Sequence, residues 1–160
     1  RVLDLCAAPG GKTTHLAALM QGEGEVVAVE RHPGRADALR RTCERMRSRN
    51  VAVVTADAAA FRDERGFDRV LLDPPCSGLG TLRSHPDLRW RVQPADLPRL
   101  ARLQDALLAA ARANLRAGGT LVYSICTISP QEERLADPAA IRTFPHEDGR
   151  DGFYIARDGG

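Results

Sequence analysis

At 160 residues and 43% hydrophobic content, the chain has the length and composition of one globular domain with a sizeable core. No apolar run approaches the ~20 residues of a membrane span, and the N-terminus lacks the charged-then-apolar layout of a secretory signal, so a soluble, cytoplasmic protein is expected. A net charge of +2 does not announce a nucleic-acid partner, and with Lys12 the only lysine among 23 basic residues, the abundance of arginine reads as compositional bias.

Arg1 leads directly into Val2-Leu3-Asp4-Leu5, which reads as a core strand, so the chain is expected to be part of a longer protein whose N-terminal region is absent. Ala8-Pro9-Gly10-Gly11 ends that strand, and Lys12–Met20 has helical composition. Beyond Gly22-Glu23-Gly24, Val26–Val29 gives a second strand of β-branched residues. Pro33-Gly34 opens a helix from Arg35 to Arg47, with Ala36, Leu39, Cys43 and Met46 at helical spacing. The arginines at 40, 41, 45, 47 and 49 read as its solvated face. Val51–Thr55 and Phe67–Leu72 are the third and fourth strands. Asp96–Leu115 is the longest helix, with Leu100, Leu103, Leu107 and Leu108 on one side. Ala117-Gly118-Gly119 is expected to end it before the strand Thr120–Ile125, and Gly152–Ala156 reads as a last strand.

Strands alternating with helices predict an α/β fold, a mostly parallel, doubly wound sheet in a single domain over residues 1–160. Ligands of open sheets of this kind bind outside the carboxyl ends of the strands. Those ends carry Cys6, Glu30, Asp57, Asp73 and Cys126. The four cysteines, at 6, 43, 76 and 126, have no metal-ligand or CxxC spacing, so neither a metal site nor a disulfide framework is expected. Cys43, within a helix, reads as a packing residue.

The turn Cys6-Ala7-Ala8-Pro9-Gly10-Gly11-Lys12 joins a strand to a helix, where small residues admit a ligand and the helix N-terminus offers N–H groups to an anion. A nucleoside triphosphate would want GxxxxGK[ST], but Cys6 stands where the first glycine belongs; the dinucleotide pattern GxGxxG is absent. S-adenosylmethionine carries a carboxylate and no phosphate, so a looser turn suffices. Glu30 lies about 20 positions past the turn, where a carboxylate that binds ribose hydroxyls is expected, although an acid there also suits the start of the next helix.

Asp73-Pro74-Pro75-Cys76-Ser77-Gly78 follows a hydrophobic strand, and its two prolines hold Asp73 and Cys76 at a set separation. Tyr123-Ser124-Ile125-Cys126-Thr127 places a second thiol at a strand end. Either cysteine alone reads as a small buried hydrophobe; the pair beside a carboxylate and a cofactor turn reads as chemistry. Carbon 5 of cytosine becomes nucleophilic when a thiolate adds to carbon 6 and an acid stabilises the charge arising at N3. From chemistry alone, Cys76 and Cys126 are equal candidates for that thiolate.

These segments resemble the catalytic domain of the RsmB/NSun family of RNA cytosine-5 methyltransferases. The matching motifs are Leu3-Asp4-Leu5-Cys6-Ala7-Ala8-Pro9-Gly10-Gly11-Lys12-Thr13, Asp73-Pro74-Pro75-Cys76-Ser77-Gly78, His85-Pro86-Asp87, Gly118–Cys126 and Asp151–Ala156. The resemblance implies a Rossmann-like class I S-adenosylmethionine-dependent methyltransferase acting on RNA, with ribosomal RNA of the small subunit as the expected substrate and a monomer as the expected state. It implies Cys126 as nucleophile and Cys76 as the thiol that assists product release. Cofactor binding would fall to Cys6, Ala7, Ala8, Pro9, Gly10, Gly11, Lys12, Glu30, Asp57 and Asp73, with Asp73 also near the base. The chain departs from the family at Ile125, where threonine is usual. It is also short between Glu133 and Pro145, so that a helix and the sixth strand are expected to be missing or reduced.

Arg83, His85, Arg89, Trp90 and Arg91 cluster after Cys76, where an aromatic among cations suits a stacked base and phosphates; the alternative packs Trp90 into the domain. Two other functions compete. An amino-group methyltransferase would carry an aromatic in place of Cys76 and need no Cys126, and an RNA-binding or assembly module would not react at all.

Overall fold

In a computed structural model of the chain, the described residues are 1–159; Gly160, the last residue of the expected domain, lies outside them. Strands β1 (Val2–Asp4), β2 (Val26–Glu30), β3 (Val51–Thr55), β4 (Phe67–Leu72), β5 (Leu115–Ile125), β6 (Ile141–Thr143) and β7 (Phe153–Asp158) form one sheet in the order β3-β2-β1-β4-β5-β7-β6. The first five are parallel, and β7 runs antiparallel between β5 and β6. This is the expected α/β, Rossmann-like arrangement. Helices α1 (Gly11–Leu19) and α2 (Pro33–Arg45) pack near β2 and β3, α4 (Asp96–Ala113) packs on β4 and β5, and α3 (Leu88–Arg91) and α5 (Pro145–Asp148) are single turns. No helix among the described residues is long and apolar enough to cross a membrane.

Helices on both faces explain why the central strands are apolar throughout rather than alternating: all five residues of β2 are buried. Leu3, Val27, Val29, Val70, Leu72, Leu121 and Tyr123 share one core with Leu107, Leu108 and Ala111 of α4. Ala28 on β2 meets Leu39 and Cys43 of α2 in a second cluster, so Cys43 is the packing residue expected. Met46, placed by its spacing on the same side, is exposed because α2 ends one residue earlier. Arg41, Arg45, Arg47 and Arg49 are exposed as predicted, and Arg40 pairs with Asp37.

The longest helix stops at Ala113 rather than Leu115. The side chain of Asn114 donates to the carbonyls of Ala110 and Phe61 and accepts from the amide of Asp63, so it ends the helix before the glycines do. Leu115 already pairs with Phe67, and β5 resumes at Thr120 opposite Arg69 after an irregularity that includes Gly118 at φ +73°. The sixth strand is present but only three residues long, and a single 3-10 turn, Pro130–Glu132, stands between β5 and β6.

The crossover from β1 passes through α1, and that from β4 through α4 on the other face, so a crevice opens at the carboxyl ends of these adjacent strands. Asp4 ends β1 but turns toward α1: it is 1% exposed and accepts a hydrogen bond from Thr13 Oγ1 at 2.6 Å. Burial pushes its carboxyl up to about 6, against the opposing pull of the Thr13 bond. With a folded value above the ~3.9 of an unfolded chain, the folded state holds this proton longer. Stability present below about pH 4 is therefore lost as the pH rises through about 6, by about 2–3 kcal/mol. Asp4→Asn, which cannot ionise, should flatten this segment of a melting-temperature profile recorded between pH 4 and 8.

Candidate active site

The carboxyl ends of β1, β2, β3, β4 and β5 bring Cys6, Glu30, Asp57, Asp73 and Cys126 to one cleft of about 490 Å³, together with Ala8, Cys76 and His85. That volume is within the usual range for a small-molecule site. A hollow of about 530 Å³ between α2 and β3, lined by Arg40, Cys43, Arg47 and Val51 among others, contains none of the expected site residues.

Of the β1–α1 turn, Cys6 and Ala8 line the cleft; Ala7 and Gly10 are buried, and Pro9, Gly11 and Lys12 are exposed and do not line it. Gly10 has φ +106°, and a Cβ there would lie 2.6 Å from Leu39 Cδ1, so glycine is required by the backbone and by α2 rather than by a ligand. At Gly11 an added Cβ would meet nothing within 4 Å, which leaves the mouth of α1 open. Burial, reinforced by Asp4 and Asp73, pushes the Cys6 thiol up to about 12; this sulfur lines the site as a neutral group.

Glu30 is 5% exposed, and its Oε1 accepts the His32 amide at 2.8 Å just before α2, so the helix-entrance role weighed for it is real. The guanidinium of Arg35 lies 3.6 Å from Oε2 and donates to the Ala8 carbonyl at 2.9 Å, tying the second strand end to the turn. Asp57 is exposed on the cleft and accepts the Ala59 amide at 3.0 Å. Lys12 Nζ meets Asp73 Oδ2 at 2.5 Å, an ion pair that links the cofactor turn to the Asp-Pro-Pro-Cys motif. Nothing in the spacing of these two residues announced it.

Cys76 and Cys126 come together as expected from adjacent strands, with Sγ atoms 3.4 Å apart. Two thiols at this distance do not both ionise. The bond from Cys76, helped by Lys12, pulls Cys126 below the ordinary thiol range, whereas the same bond and burial push Cys76 up. These opposite directions favour Cys126 as the first of the two to ionise and Cys76 as the one that keeps its proton.

Behind the thiols is a buried polar network that the sequence reading missed. Ser77 and Thr127, each directly after a cysteine, both donate to the carboxylate of Glu132, with Oγ–Oε2 distances of 2.6 and 2.9 Å. Glu132 Oε1 also accepts the Ser77 amide at 2.9 Å and Gln104 Nε2 at 3.0 Å. Gln104 donates further to the Pro75 carbonyl, and Tyr123 holds the Glu132 carbonyl at 2.8 Å. A glutamate opening the run Glu132-Glu133-Arg134 looks like surface in the sequence; only the crossing of two loops buries it.

The loop after Cys76 is fixed at Gly80, whose amide donates to the Cys126 carbonyl and whose carbonyl accepts from Gly152. Further along, His85 reaches the cleft, while Arg83, Arg89 and Arg91 are exposed. Arg91 pairs with Asp87 at 3.0 Å. Trp90 is 78% exposed, which overturns the alternative that packed it into the domain. Among the described residues no group of His, Cys, Asp and Glu could hold a metal ion.

A family profile described as 16S rRNA methyltransferase RsmB/F matches residues 1–137. The chain belongs to that family. The ribosomal RNA small subunit methyltransferase B of Erwinia tasmaniensis is 37% identical over 179 residues, covering 98% of this chain and 41% of the relative. A Synechocystis sp. protein of the same methyltransferase B type is 45% identical over 154 residues, covering 93% of this chain and 34% of its own length. The chain thus spans about two fifths or less of these curated relatives. Among solved structures, NSun6 from Pyrococcus horikoshii, determined with the S-adenosylmethionine analogue SFG, superposes with a TM-score of 0.85 at 31% identity, over 98% of this chain and 46% of that one.

RsmB/F proteins are S-adenosylmethionine-dependent methyltransferases, and the residues present here fit that cofactor. The donor set is two carboxylates at successive strand ends, Glu30 and Asp57, facing a cleft whose turn has no side chain beyond Cβ except at Cys6, Pro9 and Lys12.

The thiol pair yields a direct test. Alkylation of Cys126 by iodoacetamide, followed by peptide mass spectrometry against pH, should show a midpoint below the ~8.5 of a free thiol. Cys76→Ala should move that midpoint up, because the donor to the thiolate is gone.

Proposed function

We propose that this domain transfers a methyl group from S-adenosylmethionine to carbon 5 of a cytosine in RNA through a covalent adduct with Cys126. Small-subunit ribosomal RNA in the cytoplasm is the proposed substrate, by kinship with relatives of that name. The observation that carries the reading is the 3.4 Å thiol pair at the rim of the cleft, beside Asp73 and Lys12. An amino-group methyltransferase has no use for two such thiols, and a binding module has no use for a thiolate.

The cofactor supplies an electrophilic methyl group on a sulfonium sulfur. Glu30 would hold the ribose hydroxyls, Asp57 the adenine side, and the β1–α1 turn the carboxylate end. The Cys126 thiolate adds to carbon 6 of the base, and Asp73 with the Lys12 ammonium faces the N3 edge, where negative charge develops. Once Cys126 is bound to carbon 6 the two sulfurs no longer share a charge, so Cys76 can give its proton to solvent and, as a thiolate, take the C5 proton while the C6–S bond breaks and Cys126 leaves as a thiolate. Trp90 offers an exposed face for stacking, and Arg83, Arg89 and Arg91 offer charge for phosphates.

Glu30→Ala should weaken cofactor binding by about 1.5–3 kcal/mol in calorimetry, the worth of a charge-assisted hydrogen bond; unchanged affinity would remove Glu30 from the ribose. The thiols divide by outcome. Cys126→Ala should lose both methylation and covalent complexes with RNA, whereas Cys76→Ala should accumulate a protein–RNA complex stable on denaturing gels. The reverse pattern would exchange the two roles. Methylation retained in both variants with no trapped complex would end the covalent reading.

A further inference from the structure

Glu132 is 0% exposed, and no cation neutralises it among its hydrogen-bond partners. An ion in that position costs much free energy unless every lone pair is bonded. Here four donors from two loops and a helix converge on it: the amide and hydroxyl of Ser77, the hydroxyl of Thr127 and the side chain of Gln104. Ser77 and Thr127 also touch each other at 2.8 Å. Each is covalently next to one of the paired cysteines, so the carboxylate grips the chain beside both thiols at once. Gln104 adds a tie to the carbonyl of Pro75, the residue before Cys76.

We propose that Glu132 is a positioning residue: bonded to Ser77 and Thr127 together, it locks the loops after β4 and β5 and so fixes the separation of Cys76 and Cys126. Its catalytic importance rests on the reading of these thiols as the reacting pair, but the separation itself is measurable without RNA or cofactor. The mechanism by hydrogen bonding also distinguishes Glu132 from a residue that merely fills space. Glutamine offers the same set of contacts, since its oxygen accepts from Ser77 N and Gln104 while its amide donates to the two hydroxyls, which can turn to accept. Methionine fills the volume and offers none.

The test is the equilibrium of the Cys76–Cys126 disulfide against glutathione, read by peptide mass spectrometry on the intact protein. Oxidised glutathione takes the two electrons, and two glutathione thiols are released as the two protein S–H bonds give way to one S–S bond. The equilibrium constant reports how well the fold holds the sulfurs together. Glu132→Gln should stay within about twofold of the parent, and Glu132→Met should fall by about tenfold or more, as expected when several buried hydrogen bonds are lost. Circular dichroism and cofactor binding establish that each variant is folded. Should Glu132→Met not fold, Thr127→Val removes one arm alone and should still lower the constant. Methylation assays should show the same order in kcat, with the KM for RNA unchanged. Parent-like pairing in Glu132→Met, or in Thr127→Val where that variant stands in for it, overturns the proposal. A fall in Glu132→Gln as deep as in Glu132→Met overturns it too. Correct pairing behaviour with no methylation in the parent would instead defeat the proposed reaction and leave the positioning role standing.

Discussion

The site depends on the parallel pairing of β4 with β5. Val70 to Leu72 lie opposite Leu121 to Tyr123, and both strands are anchored in the same core by Leu72 and Tyr123. Because parallel strands end at the same side of a sheet, the residues that follow them emerge side by side, although about 50 positions separate them in sequence. The Asp-Pro-Pro-Cys turn then adds rigidity on one side, and the Glu132 network adds it on the other. A slip of one residue in this register would send every side chain to the opposite face and separate the sulfurs.

The pairing has an electrostatic result that neither cysteine has alone. At 3.4 Å a single negative charge is favoured over two, and the bond between the sulfurs draws it toward Cys126, with Asp73 opposing and Lys12 assisting. A proton kept by Cys76 then lies next to the sulfur proposed to react. Cys6, at the end of the neighbouring strand, is partly buried near Asp4, Asp73 and Glu30 and has no such donor, so three cysteines within one cleft differ in acidity through their surroundings alone.

Most of the fold was legible because helices and strands here announce themselves by long apolar runs between glycine and proline turns. The strand ends were legible for the same reason: once the sheet is parallel, Glu30, Asp57, Asp73 and Cys126 must share an edge. What local pattern did not reveal was long-range and polar. Asn114 ends α4 by reaching Phe61, and Lys12 reaches Asp73 across two strand ends. Glu132 and Gln104 carried no signal in the sequence; α4 and two loops close over them in the fold. Gly10 was singled out for a ligand, whereas the constraint the structure shows on it is its packing against Leu39. Motif spacing reports which residues are near a ligand; it does not report which contacts hold them there.

The contact of Gly80 with Gly152 divides the molecule into a part where chain length is fixed and a part where it is free. A Cβ on Gly80 would stand 2.0 Å from the Gly152 carbonyl oxygen, so the two backbones touch and neither position admits another residue without moving the loop bonded to Cys126. Leu135 just past Glu133 is still held in the main core, with Tyr154 Oη bonded to its carbonyl, whereas β6 lies at the outer edge of the sheet. Insertions and deletions around β6 change an edge strand rather than the loops that carry the sulfurs. The short β6 of this chain is one such economy, and the seam is what makes it harmless to the cleft.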